Sequence, residues 1–263
     1  MHRHKMIVSL CPSGTDTVFA LSAGDLLAAC TVQKHPQHPR YALVPKIGPG
    51  ATVREVMEFR PDIVLVGREE GPLAGELKAA GVQVIPMSGD SLEACFGPIR
   101  ALAMAVGKGT EAEKVITKVR YGFSRLKEKL AEVPPLRTVF FTGKDPYAVA
   151  GGKGLVDELL SLDKLENVYG DADRECLTPH LSSLKLLDVR LVLLPDYPQD
   201  FSDGDAMEIG NYTEHALTVF VPGELFGGGA SLVRLPAFFE QLNEKMRRFS
   251  GDNLADRDKP TYF

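Results

Sequence analysis

The sequence predicts an α/β protein of two lobes joined by a single long α-helix. Three observations lead there. Short apolar runs alternate with helical periodicity over residues 6–106, a charged, proline-free amphipathic stretch occupies 110–133, and the same alternation restarts at Arg137.

The first strand is expected over Met6–Leu10. Pro12 confines its neighbour to extended geometry, so this strand must end near Cys11. Ser13 and Asp16 stand at capping-box spacing, which predicts a helix over 13–23 closed by Gly24. Further strands are expected at 26–32, 63–66 and 82–86, and helices at 52–59, 72–80 and 91–106, with Gly81 closing the helix before it. Thr110 and Glu113 repeat the capping-box spacing at the start of the long helix. Its apolar face is Val115, Val119, Phe123, Leu126 and Leu130, and Pro134-Pro135 stops it. The second series comprises strands at 137–142, 191–194 and 217–221, with helices at 152–162, 182–188 and 231–249. Residues 53–66 and 184–194 echo one another as a short helix feeding a buried strand. The predicted organisation is a first lobe at 1–108, a connecting helix at 109–134 and a second lobe at 135–263.

Apolar residues make up 44% of the 263 and charged residues 25%, which excludes disordered and fibrous classes. A net charge of −5 with dispersed basic residues argues against nucleic acid as a partner. No apolar run approaches the roughly 20 residues that span a bilayer, so no membrane insertion is expected. The basic opening Met1–Lys5 precedes an apolar stretch too short and too polar for an export signal. The expected location is therefore the cytoplasm, or the periplasm if an export segment has been removed.

Cys11, Cys30, Cys95 and Cys176 show no CxxC or metal-finger spacing, and Cys30 and Cys95 lie in apolar stretches as buried thiols. Cys11-Pro12 could in principle offer a haem thiolate, although a small apolar residue ending a strand is the commoner use. His35 and His38 are expected as an exposed pair and not as metal ligands, and the acidic run 200–208 as an exposed loop rather than a calcium site. Gly151-Gly-Lys-Gly154 lacks P-loop spacing and reads as a loop before a helix. No strong catalytic signature and no metal site emerges, and no motif calls for a cofactor.

Several blocks in order resemble the cobalamin/iron-siderophore class of ABC-transporter substrate-binding proteins: IVSLCPSGTDTVFALSAGD at 7–25, VREVMEFRPDIVLV at 53–66, AAGVQVIP at 79–86, the long helix, and PYAVAGGKGLVDELLSLDKLENVYGD at 146–171. The resemblance implies two Rossmann-like lobes with a ligand cleft between them, and a ligand such as cobalamin, haem or a ferric siderophore. Carried over block by block, the implied ligand contacts are Cys11, Pro12, Ser13, Val32, Gln33 and Arg68 in the first lobe. Those in the second are Lys144, Tyr147 and Phe226, and His180 at a helix entrance joins them as a further candidate. Members dock on an ABC permease through an acid on each lobe. Glu69 or Glu70 fits the first lobe, but Phe226–Ser231 carries no acid, which counts against docking. Trp is absent, although several cobalamin-binding members use it. The leading reading is a substrate-binding protein. A cytosolic small-molecule carrier or sensor on the same fold, and an enzyme built on two such lobes, are the alternatives.

Overall fold

The computed structural model describes residues 5–67, 71–213 and 216–251. The chain divides into two compact units: unit 1 is Met1–Tyr121 with Gly227–Val233, and unit 2 is Gly122–Phe226 with Arg234–Phe263.

Unit 1 runs β1 (Ile7–Ser9), α1 (Pro12–Ala20), β2 (Leu27–Thr31), β3 (Lys46–Ile47), α2 (Val53–Glu58), β4 (Ile63–Val66), α3 (Gly71–Ala79), β5 (Gln83–Pro86) and α4 (Phe96–Val106). It then enters α5 (Gly109–Lys129), whose residues beyond Tyr121 belong to unit 2. The sheet order is β3-β2-β1-β4-β5, and every pairing is parallel. Strands with both faces covered lose the alternating pattern, which is why β1 and β4 are unbroken buried runs. Val8, Leu10, Ala29, Val64 and Val66 meet Val56 of α2 and Leu77 of α3 in one core. Each Val or Leu among them contributes about 1.5–3 kcal/mol on burial. Thr52 and Glu55 form a capping box at α2, with Glu55 accepting from the Thr52 N–H at 2.7 Å.

The start of α1 differs from expectation. Pro12 takes the first helical turn, and Cys11 becomes the N-cap with φ −145° and no side-chain cap bond. Ser13 is therefore already inside the helix. Asp16, freed from capping, is used for tertiary bonding. Gly24 does not close α1 either, since Ser22 takes the left-handed angle at φ 55°. A Cβ at Gly24 would lie 2.9 Å from the Phe19 ring, so any other residue there would have to displace that ring. Gly81 does follow α3 in a left-handed conformation at φ +83°.

Unit 2 contains β6 (Leu136–Gly143), β7 (Ala148–Ala150), α6 (Leu155–Leu162), β8 (Leu165–Asn167), β9 (Cys176–Leu177), β10 (Leu191–Pro195), α7 (Asp203–Gly210), β11 (Leu217–Val221) and α8 (Leu235–Gly251). Its sheet order is β11-β10-β6-β7-β9, with β8 also on β6. The pairings β6–β8, β6–β10 and β10–β11 are parallel, as the βαβ pattern predicts, whereas β7 and β9 add an antiparallel ribbon that the pattern did not announce. Val139, Phe141, Val192, Leu194 and Phe220 bury against Ile209 of α7 and Leu184. The acidic run 200–208, expected as a loop, contributes most of α7. Ser202 and Asp205 cap this helix reciprocally, the Ser202 N–H donating to Asp205 at 2.7 Å. The helices expected at 182–188 and 231–249 are a 3-10 segment over Leu181–Leu186 and α8. Residues 227–233, expected in the second lobe, belong to unit 1.

Candidate ligand-binding site

The residues that build a site in unit 1 gather where β1 and β2 end. Ser9, Thr15 and Thr17 are fully buried, and a buried hydroxyl is costly unless bonded. Their bonds go to the turn itself. The Ser9 hydroxyl donates to the Cys11 carbonyl at 2.9 Å, Thr15 donates to Ser9 Oγ at 3.0 Å, and Thr17 donates to the Ser13 carbonyl at 2.6 Å. Gln33, after β2, donates from Nε2 to the Pro12 carbonyl at 3.3 Å and to Asp16 Oδ1 at 3.1 Å. Its own N–H donates to the Tyr41 hydroxyl at 2.7 Å. The ends of two adjacent strands are thereby tied to the first turn of one helix.

A second layer comes from residues 227–233. Ser231 donates to Asp16 Oδ2 at 3.0 Å, and the Ala230 N–H donates to Thr17 Oγ1 at 2.9 Å. Gly229 adopts φ +59°, and a Cβ there would stand 2.8 Å from the Ser13 carbonyl, so only glycine permits this approach.

In unit 2 the loop after β6 carries Lys144 and Tyr147. Lys144 donates to the Asp200 carbonyl at 2.7 Å and pairs with Asp205 at 3.4 Å. The Tyr147 hydroxyl lies 2.9 Å from Asp205 Oδ1 and 3.0 Å from Glu208 Oε2, so its single proton serves two acceptors. Burial, and after it the two carboxylates, push the phenol well above its ordinary range. For Asp205 burial acts to raise the carboxyl. Donation from the Ser202 hydroxyl and N–H, from Tyr147, and the charge on Lys144 outweigh it and hold the group at about 2.

The structure distributes the sequence candidates unequally. Val32 is 57% exposed at the end of β2, whereas Cys11, Ser13 and Gln33 are at most 6% exposed and Pro12 is also buried. The Ser13 hydroxyl lies 3.5 Å from the Cys11 thiol. His180 is exposed, and its carbonyl accepts from Ser183. Phe226 sits inside an aromatic cluster, its ring centroid 4.8 Å from Phe140 and 6.0 Å from Phe239. Arg68, Glu69 and Glu70 lie outside the described residues. His38 is stacked on Phe19 at 4.2 Å, so it is a packing residue and not half of an exposed pair. Among the described residues no group of three His, Cys, Asp or Glu side chains could hold a metal. No helix among them is long and apolar enough to cross a membrane.

Sequence reasoning missed Asp205, Glu208, Tyr41 and Ser231. The Ser202/Asp205 spacing was a readable signal for the first of these. The others depend on tertiary neighbours.

Comparison with known proteins adds the lineage. The family described as Periplasmic binding protein matches residues 7–191, from β1 to the first residue of β10. The chain belongs to this family. Its members are substrate-binding proteins, not enzymes. A vitamin B12-binding protein of Yersinia pestis is 24% identical over 170 residues, 63% of this chain and 60% of the relative. The chain thus matches less than two thirds of that relative's length. A periplasmic haem-binding protein of Pseudomonas aeruginosa superposes with TM-score 0.75 at 23% identity, covering 92% of each chain. The periplasmic vitamin B12-binding protein of Vibrio cholerae superposes with TM-score 0.71 at 13% identity, covering 94% of this chain and 98% of that one. These likenesses establish the two-lobed α/β fold. The family description favours the periplasmic alternative and lends no support to a cytoplasmic location.

Proposed function

We propose that this protein binds a metal chelate of the tetrapyrrole or siderophore type, namely haem, a cobalamin or a ferric siderophore, outside the cytoplasm, and delivers it to an ABC permease. The observation that carries this reading is the family match over residues 7–191, which spans all of unit 1's strands and the loop holding Lys144 and Tyr147. The vitamin B12 and haem named for the relatives supply the ligand class.

The candidate residues within the described segments each have a part in the proposal. Val32 offers an exposed apolar side chain to a flat ligand, and the turn Cys11–Ser13, held by Gln33, forms the floor beside it. In unit 2, Lys144, Tyr147 and His180 supply polar contacts, with Phe226 packed behind. Permease docking rests on Glu69 or Glu70 alone, because Glu224, the acid next to the glycine-rich stretch, is 1% exposed.

Equilibrium dialysis against haem, cyanocobalamin and a ferric siderophore tests the reading, with Val32→Asp beside the unaltered protein. The expected result is that the unaltered chain retains one of the three. The variant should retain it at least about tenfold more weakly, with an unchanged melting temperature, because a charge then faces an apolar ligand surface. Retention of none by the unaltered chain would reject the ligand class, and equal retention by the variant would remove Val32 from the site.

A further inference from the structure

Asp163 directly follows α6 and is fully buried. Its Oδ1 accepts from Asn243 Nδ2 on α8 at 2.7 Å, and the same amide donates to the Phe239 carbonyl at 3.0 Å. Asp163 Oδ2 is buried with no hydrogen-bond partner among the described residues. Leu159, Leu160 and Leu165 flank it in sequence, and Phe239 and Leu242 flank Asn243, all of them buried. One neutral amide is poor compensation for an ionised carboxylate withdrawn from water. The neutral acid carries a much smaller penalty.

We propose that Asp163 is carried as the neutral carboxylic acid where the end of α6 meets α8, and that the cost of burying its charge makes this junction less stable as the pH rises. Burial pushes this carboxyl up to about 8, and donation from Asn243 offsets only part of that rise. The ionisable groups on neighbouring elements do not replace Asn243. Asp157 on α6 accepts from Asn167, and Glu166 on β8 pairs with Arg137 at 2.7 Å. Glu240 on α8 pairs with Lys129 at 2.6 Å. Glu158 and Lys164 beside Asp163 in sequence, and Glu244 and Lys245 beside Asn243, leave Asp163 Oδ2 without a hydrogen bond.

The sign follows from linkage. The folded pKa lies above the unfolded value of about 3.9, so the contribution is complete below about pH 4 and is lost as pH rises towards 8. Asp163→Asn has nearly the shape of the neutral acid and nothing to ionise. The melting temperature of the variant minus that of the unaltered protein should therefore grow by about 5 °C or more between about pH 5 and pH 9. Parallel curves would overturn the proposal. Should the variant fail to fold, the carboxyl ¹³C titration of Asp163 in the unaltered protein decides alone. A midpoint above about 6 supports the proposal, and one below it overturns it.

Discussion

Gly152→Ala is expected to prevent unit 2 from folding stably, at a cost of about 3 kcal/mol or more. An added Cβ would stand 1.7 Å from the Gly170 carbonyl oxygen and 2.7 Å from its carbon. Both are backbone atoms, so no side chain can rotate away. The approach is close because residues 151–153 lie along 172–175 in a ladder: the N–H of Gly151 donates to the Glu175 carbonyl at 2.9 Å, Gly152 to Ala172 at 3.1 Å and Lys153 to Arg174 at 3.0 Å. That ladder also explains why the glycine-rich loop is no phosphate cradle, since its amides are already committed to protein carbonyls. Lys153→Ala, at an exposed position, serves as the control and should change stability by less than about 0.5 kcal/mol. Chemical denaturation followed by circular dichroism reads both variants. A Gly152→Ala protein that unfolds at the same denaturant concentration as its parent would contradict the packing described.

Phe226→Ala should cost about 3–4 kcal/mol and lower the melting temperature by roughly 10 °C, while leaving ligand affinity below the melt within about twofold. The ring is 7% exposed and packs against Phe140, Phe238 and Phe239, with interplanar angles of 57°, 83° and 71°. Truncation opens a cavity among rings whose edge-to-face packing adds to simple area burial. A residue that touched ligand directly would give the opposite pattern, a large loss of affinity with a small loss of stability. Measuring both quantities on one variant therefore separates core from contact.

The parts of the fold that were legible carry a local signal. The run Ile7–Ser9 before Pro12 announced the first strand and helix, and the apolar face of Val115, Val119, Phe123 and Leu126 announced α5. Strands of two or three residues, such as β3, β7 and β9, are too short to display a period. The acidic run at 200–208 read as a loop because its charges and glycine outweighed the Ser202/Asp205 cap in its composition. Ser13 and Asp16 looked like a cap, but Pro12 moved the helix start back by one residue, and Asp16 was left to accept from Gln33 and Ser231. No local pattern could reveal that last pairing, because Ser231 lies 215 residues further along the chain. Phe226 shows the same gap in the site: glycines beside an aromatic are compatible with a ligand contact and with a core ring, and only the neighbouring rings decide.

The central claim, binding of a metal chelate, is tested most directly by a visible-absorbance titration of the unaltered protein with haem and, separately, with cyanocobalamin. A saturable change in the chelate's spectrum that levels off at a fixed stoichiometry, together with co-elution of the chelate in gel filtration, is the predicted result for one of the two, or for a ferric siderophore titrated in the same way. Spectra that remain the sum of protein and free chelate for all three, with no co-elution, would contradict it.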